Sequence, residues 1–376
     1  MDLVALVSFF WYLLSAVRPG ADSLGPIKAE PFFFLILASI FFSGLLSAAF
    51  ARNPGFSINK IVQIFENCWL AYFAMLYASR TNIKYFIDAL LMAAVFNVLF
   101  AFSFQYYANI GDILMGDVVR VSGLSAAYFG TNMLVAVLFA VSFYLFSERF
   151  PVRRVVFASV LISFVFLTQI RTIWILLCAM LLFFTFIGLT YKKIRRVLIL
   201  SGVSVVVFFS IVSMGWTNFE KDWLNTLYSR GNGTAYTRLE LWGTAARIFK
   251  GNPVLGTGPG TFGRLYLNPR YSTPNLLRLS EMYDLGQGID AHSVFFTCMA
   301  ETGAIGILCY LALFAFMGFR AKGLLAFGND PVAFALIVFV PVAFFSDVIS
   351  DQLGLKFFWL LLGFLVGLSG NRAEHV

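Results

Sequence analysis

Ten stretches of this chain are apolar for long enough to cross a lipid bilayer, and that limits the fold more than any motif does. They run near 31–51, 60–79, 84–108, 122–147, 152–169, 172–190, 197–215, 296–319, 331–350 and 353–369; a spanning helix needs about 20 residues. An eleventh, Leu3 to Val17, is shorter and lacks a basic stretch ahead of it, so it reads as a short span with its N-terminus outside rather than as a signal peptide. Inside hydrocarbon every backbone N–H and C=O must be satisfied internally, so such runs are expected to be helices. The expected fold is an all-α polytopic membrane protein with about 11 transmembrane helices. Composition agrees, since only 12% of residues are charged against about 25% in soluble domains.

The basic residues orient these spans. "YKKIRR" at 191–196 marks one loop as cytoplasmic, and the same side collects Arg18, Lys28, Arg80, Lys84, Arg149, Arg153, Arg154, Arg320, Lys322 and Arg372. The opposite short loops hold only Arg52, Lys60, Arg120, Arg171 and Lys356. A formal charge of +8 could suggest nucleic acid, but the cations lie in short clusters between apolar runs with no nucleic-acid-binding motif. Topology and contact with membrane lipids account for them. Cys68, Cys178, Cys298 and Cys309 all sit in apolar runs without C-x-x-C spacing and read as small core residues.

The same alternation places residues 216–290 outside. The chain therefore divides into N-terminal spans (1–215), one large extracytoplasmic loop containing short helices (216–290) and C-terminal spans (291–376), together one integral membrane domain. The outer loop is where function is sought first. Within it "TAYTRLELWGTAARIFKGNP" reads as an amphipathic helix with Leu239, Trp242, Ala246 and Phe249 on its apolar face, ended by Gly251 and Pro253. Arg238 and Trp242, four apart, share a face; they suit an interfacial anchor or a cation beside a substrate. "NPVLGTGPGTFG" contains a G-x-G-x-x-G match at Gly258, Gly260 and Gly263, but no strand leads into it and no helix clearly opens from it, so its glycines serve sharp turns or close backbone approach rather than a nucleotide.

Arg171, in "TQIRTIWILL", occupies the outer end of a hairpin between spans. It either snorkels to headgroups or holds a phosphate or pyrophosphate by two bonds at once. Arg120, in "VVRVSGL", is a second outer arginine at a span entrance. His292, in "GIDAHSVFF", stands at the threshold of an apolar run, as a satisfied interfacial residue or as a base. Its competitors are Glu66, Asp347 and Asp351, carboxylates near the outer face that are expected to stay wet and structural. Glu301, with Thr302 and Gly303, is expected to break the following segment so that 292–301 forms a short surface helix.

The order of these pieces is informative. "RVSGL", "IRTIW", "TRLELWGTAARIFKGNPVLGTGPGTFG" and "AHSVFFTCMAETGAIGILCYL", spread over roughly residues 120–320, resemble the O-antigen ligase family, which also includes O-antigen and exopolysaccharide polymerases. The resemblance implies a GT-C-like membrane glycosyltransferase at the periplasmic face of the bacterial inner membrane. Its donor would be a glycan on undecaprenyl pyrophosphate; its acceptor would be a hydroxyl of the lipid A core, or the growing glycan in a polymerase. Arg171, Arg238 and His292 match the family's hairpin arginine, loop arginine and loop-closing histidine. Two departures stand out. Ser293 replaces the asparagine that usually follows the histidine, and the chain is expected to have one span fewer than the common twelve.

The implied chemistry fits these residue types. Bond breaking leaves charge on the pyrophosphate, which Arg171 and Arg238 would stabilise, and His292 would take the acceptor's proton, giving inversion at the anomeric carbon. No metal or other cofactor is expected, because the outer loop has no acidic cluster suited to magnesium. Arg120, Trp242, Gly258, Gly260 and Glu301 are secondary candidates. A Ser293 nucleophile is disfavoured because neighbouring side chains rarely address each other and no third group orients them. A transporter would place its site near the midplane in repeated halves, a pattern absent here. A scaffold with an outer binding loop would tolerate loss of His292.

Overall fold

The structure, a computed structural model, describes residues 30–51, 54–78, 80–100, 129–146, 152–167, 171–191, 193, 195–200, 202–203, 206, 234–282, 290–325, 330–349 and 356–370. All regular structure among these residues is helical: α1 (Pro31–Ala49), α2 (Ile58–Leu76), α3 (Arg80–Phe100), α4 (Phe129–Phe146), α5 (Val152–Leu167), α6 (Arg171–Thr190), α7 (Thr234–Gly251), α8 (Phe262–Leu265), α9 (Pro274–Met282), α10 (Val294–Leu324), α11 (Pro331–Ile349) and α12 (Lys356–Gly370), with a 3-10 turn at Pro54–Ser57. The chain is an all-helical, multi-pass membrane protein.

Nine of the expected spans coincide with α1–α6 and α10–α12. The Leu3–Val17 run lies outside the described residues, and the 197–215 run is described only in part. Stretches within α1, α3, α6, α10 and α11 are each long and apolar enough to cross a membrane. Their exposed faces carry Phe32, Leu35, Met92, Leu182, Phe186 and Phe319, which water would penalise and lipid does not.

The helices group into two compact units, one of Met1–Arg80, Ser229–Gly323 and Ala343–Val376, the other of Thr81–Tyr228 and Leu324–Val342. In the first, α2 packs along α12 because small residues let the backbones meet. A Cβ on Gly363 would lie 2.2 Å from the Ala71 carbonyl, and one on Gly367 2.3 Å from Ala78 Cβ. The polar face of α2 turns inward, where Glu66 pairs with Lys356 at 3.2 Å. Glu30, just before α1, pairs with Arg320 of α10, whose guanidinium also lies 5.1 Å from the Phe316 ring centre. Glu66 and Asp347 are buried, not wet: an ionisable group on a span escapes lipid by facing protein as readily as by reaching water. Asp351 lies outside the described residues.

In the second unit α4 packs against α5 and α6. Arg196 donates to the Tyr144 and Leu145 carbonyls at 3.2 and 2.7 Å, and Arg154 to the Phe143 carbonyl at 3.1 Å. Both therefore cap the C-terminal turn of α4, where carbonyls lack partners and the dipole favours cations. The residues that orient the chain thus also complete a helix end. Cys178, expected in the core, is exposed on α6.

Candidate active site

Residues 234–300 include a small core of their own. Leu241, Ala245 and Ile248 of α7 pack with Phe262, Tyr266 and Leu276, and with Ala291 and Ala300 from the chain that returns to the membrane. This face of α7 differs from the expected one, and Leu239 is 60% exposed. Apolar residues fill two adjacent rows of the helix; packing against α8 and α9 selects the row through 241, 245 and 248. Trp242 borders the core, stacked on Phe296 with ring centres 4.9 Å apart, and its Nε1 donates to the Ala291 carbonyl at 3.0 Å. One turn earlier, Arg238 donates to the Ile349 carbonyl at 3.2 Å. Burial pulls its guanidinium below the ordinary value, and the Asp290 carboxylate works in the opposite direction. Asp290 is therefore close enough to Arg238 for their charges to interact.

Ala291 and Ser293 are fully buried, while His292 between them is exposed. His292 has φ of 48°, in the left-handed region, which costs a residue with a Cβ about 1 kcal/mol. Asp290 stabilises that conformation: its Oδ1 accepts the His292 backbone N–H at 2.7 Å and lies 3.3 Å from the ring's Nδ1. An aspartate two residues ahead is the signature of an Asx turn, and "DAH" carries that signal.

Ser293 caps α10. Its Oγ accepts from the Phe296 N–H and donates to the Asp347 carbonyl, both at 3.4 Å. A serine directly before an apolar helical run is a cap signal, so the position that departs from the family pattern has a structural task here.

Behind His292, α10 is broken. Gly303 has φ of 67° and ψ of −158°, leaving 294–302 as a short helix before the span, close to the expected 292–301. The break removes the bonds that Ala304 and Ile305 would make to Ala300 and Glu301. The glycine loop replaces them. Ala304 and Ile305 donate to the Pro253 and Val254 carbonyls at 2.9 and 3.4 Å, while the Ala300 and Glu301 carbonyls accept from Thr257 and Gly258 at 3.1 and 2.9 Å. Backbones can approach this closely only without side chains: a Cβ on Gly256 would lie 2.3 Å from the Glu301 carbonyl carbon, and one on Gly303 2.4 Å from the Val254 carbonyl oxygen. Gly258 and Gly260 also have positive φ, 110° and 76°. The Glu301 carboxylate accepts from the Gly260 and Phe262 N–H groups at 2.7 and 3.0 Å, and Ser47 Oγ of α1 lies 2.6 Å from both the Leu255 and Glu301 carbonyl oxygens, sharing its one O–H between them. A helix, α8, does open from the loop, but a loop rather than a strand precedes it.

Residues 155–311 match the family model described as O-antigen ligase. Over those residues, fewer than half of the chain, the sequence is similar to the O-antigen ligase family. The match includes Arg171, Arg238, Trp242, the glycine loop, His292 and Glu301, whereas Arg120 precedes it and lies outside the described residues. No curated protein matches the chain. The match supports a membrane function of the O-antigen ligase or polymerase superfamily. In structural terms the matched region brings Arg238, Trp242 and His292 into one neighbourhood through Ala291 and Asp290; Arg171 is the first residue of α6, in the other compact unit. Gly258, Gly260 and Glu301 belong to the collar around the helix break, not to the exposed corner.

Proposed function

We propose that this protein is a membrane glycosyltransferase that moves a glycan from undecaprenyl pyrophosphate to a sugar hydroxyl, joining O-antigen to the lipid A core at the periplasmic face of the inner membrane. The observation that carries this reading is the exposed His292, whose Nδ1 lies 3.3 Å from the Asp290 carboxylate, inside the ligase-family match. In the reaction the acceptor oxygen attacks the anomeric carbon while the bond to the pyrophosphate oxygen breaks. The bonding electrons leave with the lipid pyrophosphate, and the acceptor's proton passes to His292. Attack opposite the leaving group inverts the anomeric centre.

Arg238 takes the pyrophosphate. A guanidinium offers paired donors to phosphate oxygens, and a half-buried one acts in a medium where charge is screened less than in water. Removing such a fixed donor costs roughly 10²–10³ in rate. Arginine suffices for the developing charge, so metal is not required by this scheme.

The test is transfer by the purified full chain from a lipid-linked glycan to lipid A-core, with chelator present. Product formation in chelator that falls by roughly 10²-fold or more in Arg238→Ala supports the reading. Product that requires added magnesium, or that forms equally well in Arg238→Ala, contradicts it. Elongation of the donor glycan in place of core modification would identify a polymerase with the same machinery.

A further inference from the structure

His292 is an unusual place to find a precise side chain: an exposed ring on a residue in the left-handed region. Both neighbours are pinned. Ala291 is buried in the outer core with its carbonyl on Trp242 Nε1, and Ser293 is buried as the cap of α10. These anchors fix the backbone and leave the imidazole free to turn. The Asp290 carboxylate lies 3.3 Å from the ring's Nδ1 and also accepts the His292 N–H.

We infer that Asp290 is the positioning residue for His292, binding Nδ1–H and thereby turning a bare Nε2 toward the acceptor hydroxyl. The inference rests on the proposed role of His292 as base. A neutral imidazole carries one N–H, and the hydrogen bond made by one nitrogen decides which nitrogen is left as acceptor. A carboxylate at Nδ1 selects the tautomer whose Nε2 lone pair receives a proton, and it stabilises the imidazolium formed when that proton arrives. The charge of Asp290 also acts on Arg238, the cation assigned to the leaving group.

The chain contains two histidines, His292 and His375, which makes a spectroscopic test direct. In full-length protein labelled with 15N-histidine and carrying His375→Gln, the ring nitrogens of His292 are observed alone. In mildly alkaline buffer the expected spectrum shows Nδ1 protonated and Nε2 bare, and Asp290→Ala reverts the ring to the Nε2-protonated form that free imidazole favours. Glycan transfer by Asp290→Ala is expected to fall roughly tenfold to hundredfold in kcat, the scale seen when a carboxylate that orients a metal-bound histidine is removed, with donor KM changed by less than about twofold. Asp290→Asn, which keeps an oxygen for both bonds, is expected to retain the wild-type tautomer and to lose less activity. An unchanged tautomer or an unchanged kcat in Asp290→Ala overturns the inference. The parent reading is tested separately: His292→Asn at full activity removes the base itself, and the inference with it, whereas an inactive His292→Asn beside a fully active Asp290→Ala overturns the inference alone.

Discussion

The collar around Gly303 and the corner at His292 lie 11 residues apart in the chain and are built on opposite principles. In the collar each broken helix bond is replaced by one to the glycine loop, and Glu301 secures two more backbone N–H groups from within. At the corner one carboxylate holds an exposed ring. The buried region cannot move without orphaning polar groups, each costing about 1–3 kcal/mol; the exposed one spends almost nothing on its contacts and is open to substrate. The contrast separates support from chemistry: the collar fixes the direction in which the short helix leaves the outer segment, and the corner presents what that helix carries.

Substitutions can break this division. The largest effect is expected from Gly303→Ala or Gly256→Ala, whose Cβ atoms would meet backbone 2.4 and 2.3 Å away at positions already in left-handed conformations. Folded yield should collapse, read by size-exclusion chromatography of detergent-solubilised protein. If both variants elute normally and transfer glycan, the collar is not the support described. Next, Glu301→Ala should remain foldable yet lose about 2 kcal/mol of stability, visible as a lower Tm. A Tm equal to wild type would show that the two N–H groups find other acceptors. Smallest, Trp242→Phe deletes one hydrogen bond to Ala291, about 1 kcal/mol, while keeping a ring to stack on Phe296. Its transfer rate should fall modestly with Tm little changed, and a drop in Tm as large as that of Glu301→Ala would make Trp242 part of the support instead.

Much of this was legible in the sequence, for reasons that differ by residue. Apolar runs marked nine helices because lipid leaves a buried or spanning helix no other composition. Glu301-Thr302-Gly303 gave the break in α10 and Gly251-Pro253 the end of α7, since both rest on local backbone preferences. The pairing of "NPVLGTGPGTF" with "ETGAIG" was not legible: each reads as a turn or break alone, and only tertiary contact makes one the completion of the other. The face of α7 was misread because two rows are apolar and only the partners choose between them. Asp290 and Ser293 carried local signals, an Asx turn and a helix cap, that attention to His292 itself obscured.

The central claim, that His292 takes the acceptor's proton, meets its most direct test in single-turnover transfer by His292→Asn with saturating donor. Asparagine tolerates the left-handed backbone at this position, so loss of the ring is separated from loss of the turn. The account predicts unchanged donor binding and a chemical step slowed by roughly 10²–10⁴. A chemical step at the wild-type rate would contradict it.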